Sequence, residues 1–428
     1  MKSEVNGRRV TAPAKANWPM RRLGELAEFR NGVNYNKNSF GVGVKVVGVS
    51  NFQDYTKPRY AELAQINPEG IVSERNILRD GDIVFVRSNG NRELIGRSLF
   101  IEQPLEEITH SAFTIRLRFS SAEVHPKFYA YCFRTPLIRQ GLTAQGGGTN
   151  ITNLNQDILN GLEVPVPPLP VQERIADILS AYDELIENSQ QRIRTLEGMA
   201  RTLYREWFVH FRFPDHEKFP RINSPLGDIP KGWEVKAVAD SFDISGGGTP
   251  SRKETAYWEG GTIQWFSPSD LTGASTMFMD DSSDHISERG LAESSARLFP
   301  ARSLMLTSRA TIGVIAINTH EACTNQGFIN CLPNERVPLY FLFHWLTENV
   351  PMFQRMASGA TFKEISRGVF KTIEFLQPPE QLTRRFDDAA APMAEQALLL
   401  QRQIQYLRRT RDLLLPRLLT GQVNLGEN

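Results

Sequence analysis

Two stretches of the chain carry apolar residues at steps of three and four. In the first they fall at Ile175, Ile178, Tyr182, Leu185, Ile193, Leu196, Ala200, Leu203 and Trp207, with Ser189 in one of the slots. In the second they fall at Met393, Ala397, Leu400, Ile404, Leu407, Leu414 and Leu418, and Arg411 interrupts the seam. This spacing lines one face of an α-helix. Each stretch follows a Pro-Pro stop (Pro167-Pro168 and Pro378-Pro379), so each predicts one helix of about 36 residues, roughly 55 Å long. The first rhythm contains a 3-4-4 run, an eleven-residue insertion among heptads. Pro392 is expected to kink or restart the second helix, and Gly421 to end it. A seam of that length needs a partner helix, and the order along the chain supplies one. The two helices are expected to pair antiparallel as a coiled coil, with a globular domain at each end related by a pseudo-twofold axis.

The rest of the chain has a different texture. It is rich in Gly, Asn, Ser and Thr and carries short apolar or alternating runs at Val44–Val49, Ile83–Val86, Phe113–Leu117, Ser303–Leu306 and Gly313–Ile317. These predict strands joined by long loops, with helices near Pro126–Arg134 and Pro338–Glu348. The two halves also read alike in order. Trp18 and its following residues match Trp233 and its own. Phe29–Val33 matches Asp243–Pro250, Val84–Ser88 matches Leu304–Ser308, and Ile108–Ile115 matches Cys323–Asn330. Gly146–Ile151 matches Ser358–Lys363, and the Pro-Pro stops match each other. Offsets stay between 211 and 220 residues, so the matches are in register rather than coincidental. The expected fold class is α+β: two repeated α/β domains separated by the two long helices.

Charge changes the picture little. The chain has 49 basic and 48 acidic residues, a net charge of +1, so any nucleic-acid contact needs locally segregated charge or charge supplied by partners. Of the basic residues 37 are Arg, the type whose planar fork suits phosphates and guanine edges; codon bias is the competing explanation. No apolar run is long enough for a membrane span. Residues 1–17 lack the apolar core of a secretory signal and read as a disordered tail. Three cysteines, Cys132, Cys323 and Cys331, make no disulfide framework, which points to a reducing, cytoplasmic setting.

Catalytic signatures are missing. No Gly-Lys pair occurs, so there is no Walker A loop. No Asn/Asp-Pro-Pro-aromatic run occurs either; Asn67-Pro68 and Ser267-Pro268 lack its second proline. Pro214–Lys218 has the residue types of a nuclease motif crowded into five positions, where separated carboxylates around a metal cannot form. His210 and His216 lack further ligands and read as surface residues. Cys323 and Cys331 read as core thiols.

Candidates for nucleic-acid contact sit in loops. Gly146–Asn150 and Gly246–Pro250 are loops able to turn backbone N–H groups toward phosphate, with hydroxyls from Thr149 and Thr249. Arg87, Ser88, Asn89 and Arg92 combine types that read guanine and adenine edges, Asn150 adds another, and Thr307, Ser308 and Arg309 occupy the equivalent place in the second half. Ser251, Arg252 and Lys253 follow the second glycine loop. Each cluster has solvated loop as its competing reading. Tyr35, Tyr257 and Trp258 read as core aromatics first and base contacts second. Arg402, Arg408, Arg409, Arg411 and Arg417 form a basic stripe on the second helix, facing either a nucleic acid or an acidic partner surface.

Together these segments resemble a known family. Val166–Ile175 (VPPLPVQERI), Leu203–Pro214 (LYREWFVHFRFP), Leu226–Trp233 (LGDIPKGW), Gly247–Arg252 (GGTPSR), Trp265–Leu271 (WFSPSDL) and Leu418–Val423 (LLTGQV) are similar to motifs of the specificity subunit of type I restriction-modification systems. The resemblance runs from about Trp18 to Val423. It implies target-recognition domains at 18–166 and 231–377, conserved helical regions at 167–212 and 378–421, a linker at 213–230, and a tail at 422–428. It also implies a non-catalytic chain that reads an asymmetric bipartite target in double-stranded DNA. Two adenine methyltransferase subunits and two restriction (translocase-nuclease) subunits would bind it for phage defence, with no membrane involved. The complex would be the site-specific deoxyribonuclease and adenine-N6 methyltransferase. S-adenosylmethionine, ATP and Mg would belong to those partners, and no cofactor to this chain. The alternative is a protein-assembly scaffold without sequence readout.

Overall fold

The computed structural model describes residues 18–52, 56–135, 138, 142, 153–274, 276–359 and 363–423. The chain divides into two units. One is built from Met1–Glu187 with Gln405–Asn428, the other from Asn188–Ile404.

In the first unit, β1 (Met20–Arg22) pairs antiparallel with β9 (Glu163–Pro165). A four-stranded sheet has the order β2 (Ala27–Asn31), β8 (Thr114–Phe119), β5 (Ile83–Val86), β6 (Ser98–Phe100). A three-stranded sheet has β3 (Phe40–Val47) between β4 (Ala64–Ile66), antiparallel, and β7 (Ile108–His110), parallel. Every residue of β5 is buried. Ile83 and Phe85 enter the core shared with the helices, while Val84 and Val86 enter a second core with Val47, Phe52, Leu99 and Ile108. That is why this strand reads as a continuous apolar run rather than an alternating one. Helices α1 (Pro126–Cys132) and α2 (Gln156–Gly161) cover the first core.

Two long helices follow from the sequence pattern. Helix α3 spans Leu169–Tyr204 and passes into a π-helical turn, Arg205–Val209. Its start is fastened by Gln172, which is fully buried. The Gln172 side chain donates to the Pro167 and Glu123 carbonyls (2.8 Å each) and accepts from the His125 N–H (2.9 Å). Between α3 and the second unit's sheets lies a hairpin of β10 (Arg221–Ser224) and β11 (Gly227–Pro230).

The second unit repeats the strand order of the first and adds one edge strand. β12 (Glu234–Ala237) pairs antiparallel with β21 (Glu374–Gln377), as β1 does with β9. The main sheet runs β13 (Asp243–Gly246), β20 (Phe328–Leu332), β17 (Leu304–Thr307), β18 (Ile315–Asn318), and adds β15 (Phe278–Met279) at its edge. The smaller sheet has β14 (Ile263–Phe266) between antiparallel β16 (Asp284–Ile286) and parallel β19 (Ala322–Thr324). Helices α4 (Pro268–Ala274), α5 (Glu288–Ala292), α6 (Leu339–Met356) and α7 (Arg367–Lys371) complete it, and α8 spans Glu380–Leu419. Strand pairing sets the structural alignment one residue away from the sequence match in two places. His110 corresponds to Thr324 and Val84 to Met305.

The start of each long helix meets the end of the other. In the first unit Ile175, Ala176 and Leu179 of α3 share a core with Leu415, Leu418 and Leu419 of α8. In the second unit Ala200 and Tyr204 of α3 share one with Phe386, Ala390, Ala394 and Leu398 of α8. The helices therefore run antiparallel where they meet. Two expectations change. Helix α8 runs unbroken through Pro392 and Pro416; burial of Ala390 and Ala394 on either side of exposed Pro392 offsets the missing hydrogen bond. Leu185 is 51% exposed and Ile186 is buried in its stead, because the buried face passes through Leu179 and Ile186, seven apart. Of the other seam positions, Ile175, Leu400 and Ile404 are buried, while Ile178, Tyr182, Ile193, Leu196, Leu203, Leu407 and Leu414 are half-buried.

Arg411, the charged residue in the seam, binds Asp183 of α3, and Asp183 also accepts a hydrogen bond from Tyr131 Oη at 2.8 Å. Asp412 takes the other edge of the guanidinium at 2.9 Å. One arginine thus fixes the register of α8 on the first unit. Removing either partner leaves the other mostly buried with only its weaker remaining contacts, Tyr131 for Asp183 and Asp412 for Arg411, so Asp183→Ala and Arg411→Met are each expected to cost about 2 kcal/mol. The double variant is expected to cost clearly less than their sum. Urea unfolding of the four proteins as a double-mutant cycle measures this coupling.

Candidate nucleic-acid interface

The geometry at one end of each main sheet starts with a glycine. After β13 the chain crosses from the larger sheet to the smaller. A Cβ on Gly247 would stand 2.1 Å from the carbonyl oxygens of both Thr324 and Asn325, and one on Gly248 would stand 2.3 Å from the Ser295 carbonyl oxygen. The first unit makes the same crossing after β2, where a Cβ on Gly32 would stand 2.2 Å from the His110 carbonyl oxygen. The next N–H closes each crossing: Val33 donates to His110 O (2.8 Å), Gly248 to Thr324 O (2.9 Å). The Gly246–Pro250 loop is therefore a packed crossing and not an open nest. Gly246 is paired with Ile329, and the Gly248 N–H is already used.

This crossing gathers several of the second-unit candidates around the turn Asn325–Gly327 between β19 and β20. Thr249 Oγ1 donates to Gln326 Oε1 at 2.7 Å, both side chains exposed. The Ser308 N–H donates to Gly327 O at 2.8 Å. Arg309 is exposed, with its Nε 3.8 Å from Glu364 Oε2. Two expected contacts are corrected. Thr307 is fully buried and its hydroxyl accepts from the Val314 N–H at 2.9 Å; Ser308 is buried as well, its carbonyl accepting from the Ile365 N–H. The Thr307 hydroxyl thus satisfies a backbone group inside the unit. Arg252 sits 3.6 Å from the Trp258 ring centroid and pairs with Asp284, so its charge is engaged. Ser251 is exposed and its carbonyl accepts from the Trp258 indole (3.1 Å). Lys253 is exposed.

In the first unit the Arg87 and Ser88 N–H groups both point to Phe113 O (2.8 and 3.4 Å), placing that loop beside the equivalent turn, Ser111–Phe113. Arg87, Ser88 and Asn89 are half-buried, and Asn89 Oδ1 accepts from the Asn91 N–H at 3.3 Å. Arg92 lies in a short 3-10 turn, Arg92–Leu94. Thr149 and Asn150, with the whole Gly146–Asn150 loop, lie outside the described residues. Sequence reasoning missed Phe113, 61% exposed at the turn, and Gln326. Phe113 was absorbed into the apolar run that predicts β8. Gln326 carries no periodic signal.

Electrostatics beneath the first turn are set by burial. Thr114 Oγ1 donates to Ser111 O (2.7 Å), so it accepts from His110 Nδ1–H at 2.9 Å, which fixes the neutral tautomer. Burial first, then the nearby Arg116, Arg118 and Arg30 charges, push the His110 pKa down to about 3. Asp82, fully buried, grips Arg118 through both oxygens (2.7 and 2.6 Å). On α8, Arg402 binds Asp280 and Arg411 binds Asp183, leaving Arg408, Arg409 and Arg417 as the exposed members of the stripe.

Among the described residues no group of three or more His, Cys, Asp and Glu is placed to hold a metal, and no helix is long and apolar enough to cross a membrane. The three cysteines are buried free thiols. Burial lifts the Cys323 pKa to about 12, which keeps that thiol protonated.

The two units share one topology, and each presents a turn and flanking polar loops at the same sheet end. The model of the type I restriction modification DNA specificity domain matches residues 15–198 and again 230–382, and the chain belongs to that family of specificity subunits. It is similar to the type I restriction enzyme MjaIX specificity subunit of Methanocaldococcus jannaschii, 26% identical over 312 residues, 70% of each chain. It is also similar to the HindI specificity subunit of Haemophilus influenzae, 23% identical over 410 residues, 82% of this chain and 88% of that one. The fold matches the crystal structure of a type I S subunit from M. genitalium, with a TM-score of 0.59 and 16% identity over 95% of this chain and 99% of that one. The chain is thus a non-catalytic, DNA-binding specificity subunit.

Two outcomes test the geometry. Gly247→Ala is expected to destabilise the second unit by about 3 kcal/mol, because backbone atoms must move. Gly273→Ala, with nothing within 4 Å, is expected to be neutral in the same thermal melts. The depressed His110 pKa means its contribution to stability is full above the unfolded value of 6.5 and is lost as pH falls toward 3. His110→Asn is therefore expected to flatten the fall in urea midpoint between pH 6.5 and 4.

Proposed function

We propose that each unit reads one half of an asymmetric, bipartite target in double-stranded DNA, and that α3 and α8 hold the two readers a fixed distance apart. The reading is supported by one observation above others. The two units share strand order and the glycine crossing, yet present different residues on the equivalent turns: Ser111-Ala112-Phe113 in one, Asn325-Gln326-Gly327 in the other. A common scaffold with unlike tips is what two unlike half-sites require.

In this reading Arg87, Asn89, Thr249, Ser251, Lys253 and Arg309 contact DNA, with the recognition domains bounded at 18–166 and 231–377 as the sequence suggests. Adenine methyltransferase subunits and translocase-nuclease subunits, two of each, dock on the chain. S-adenosylmethionine, ATP and Mg act on those partners. Arg408, Arg409 and Arg417 are exposed for the unread spacer or an acidic partner face. Three buried thiols that stay reduced suit a cytoplasmic setting.

The test is a methylome. The chain is expressed with its methyltransferase partner and N6-methyladenine is mapped by long-read sequencing. One motif with two unlike halves and a fixed gap is expected. Matched four-residue insertions in α3 and α8 lengthen each helix by about 6 Å and are expected to widen the gap by one or two base pairs at ~3.4 Å each. Methylation without a motif would instead leave an assembly scaffold. In binding assays, Arg87→Ala, Lys253→Ala and Arg309→Ala are each expected to lower the salt slope by about 0.9, the share of one neutralised phosphate.

A further inference from the structure

The turn between β19 and β20 is held on every side. Asn325 Oδ1 accepts from the Gly327 N–H (2.8 Å), the Asn325 N–H donates to Phe266 O (3.0 Å), and the Gly327 carbonyl accepts from Ser308. Gly247 runs directly against its backbone. At the tip stands an exposed glutamine whose carbonyl oxygen is already oriented by Thr249. Exposed glutamines ordinarily sample many rotamers and lose that freedom on binding. Gln326 has one torsional anchor in place before any ligand arrives, which lowers that cost.

The groups left over define the ligand. Thr249 occupies one lone pair of Gln326 Oε1; the second lone pair and the two Nε2 hydrogens remain. An acceptor beside a donor on one planar amide complements the N6–H and N7 of adenine in the major groove. Guanine offers two acceptors there and leaves Oε1 unpaired. Arg309, whose neighbour Ser308 is bonded to the turn, and Lys253, four residues beyond Thr249, stand exposed to meet flanking phosphates. Among the described residues, the equivalent turn of the first unit carries Ala112 where the second carries Gln326.

We propose that Gln326, oriented by Thr249, is a specificity-determining residue that reads an adenine edge in the half-site bound by the second unit. The proposal rests on the DNA-reading function above and adds which residue reads which base.

The experiment is the methylome of the full complex carrying Gln326→Ala, Gln326→Glu or Thr249→Val. The wild-type motif is expected to hold an A·T-specific position that Gln326→Ala relaxes, losing roughly ten- to a hundredfold discrimination. All other positions and the other half-site keep their specificity. Gln326→Glu, of nearly the same size and only an acceptor, is expected to shift that position toward cytosine, whose N4 is a donor. Thr249→Val is expected to loosen the same position by a smaller factor. A wild-type motif that none of the three variants moves overturns the assignment, as does uniform loss of methylation at every site by a folded complex. A wild-type complex that shows no motif removes the DNA-reading function itself, and the proposal with it.

Discussion

The turn-bearing end of each unit depends on one close approach of backbone to backbone. At Gly32 and at Gly247 the chain leaves the main sheet and crosses to the smaller one so tightly that a methyl group would overlap carbonyl oxygens at little more than 2 Å. The crossing brings the end of one strand, the turn after the next parallel strand and the start of the strand beside it to a single place. Without it, Arg87 and Phe113 in one unit, and Thr249, Gln326 and Arg309 in the other, would belong to separate loops. Hydrogen bonds from Val33 to His110 and from Gly248 to Thr324 then lock what the missing side chain allows.

This scaffold is duplicated more faithfully than the sequence is. The order β2-β8-β5-β6 recurs as β13-β20-β17-β18, and the smaller sheets share both strand order and strand sense. Packing constrains those strands on both faces, whereas the turns face outward and are free to differ. The layer between the sheets differs at a pair of neighbouring positions. Where the first unit has Arg116 beside buried His110, the second has Asn330, whose amide donates to Thr324 Oγ1 at 2.8 Å.

The features legible in the sequence were those with a period. The three-and-four rhythm marked both long helices, and Ile83–Val86 marked a strand buried on two faces. Arg411 stood out in the seam and proved to be its register pin. Polar residues were harder to place, because their partners are remote in sequence. Thr307 and Ser308 looked like loop chemistry but are buried, and the Thr307 hydroxyl satisfies a backbone N–H inside the unit. Arg252 looked free but lies on Trp258 and pairs with Asp284, 32 positions away. Gln326 gained meaning only through Thr249, 77 positions earlier. Pro392 obeyed a local rule that tertiary burial overruled.

The division of the chain into units also sets an order of assembly. Residues 188–404 form the second unit from one continuous segment. The first unit is closed by α8's last turns, down to a hydrogen bond from the Trp18 indole to Leu419 O across 401 positions. During synthesis, then, the later half can complete its core while the earlier half still waits for the final residues. Until they arrive, the apolar face of α3 around Ile175 and Leu179 lacks its cover. The entropy of closing so long a loop grows only logarithmically with its length, so the delay is one of timing rather than stability. Until then the nascent first unit leaves that apolar face open to aggregation or to capture by a chaperone.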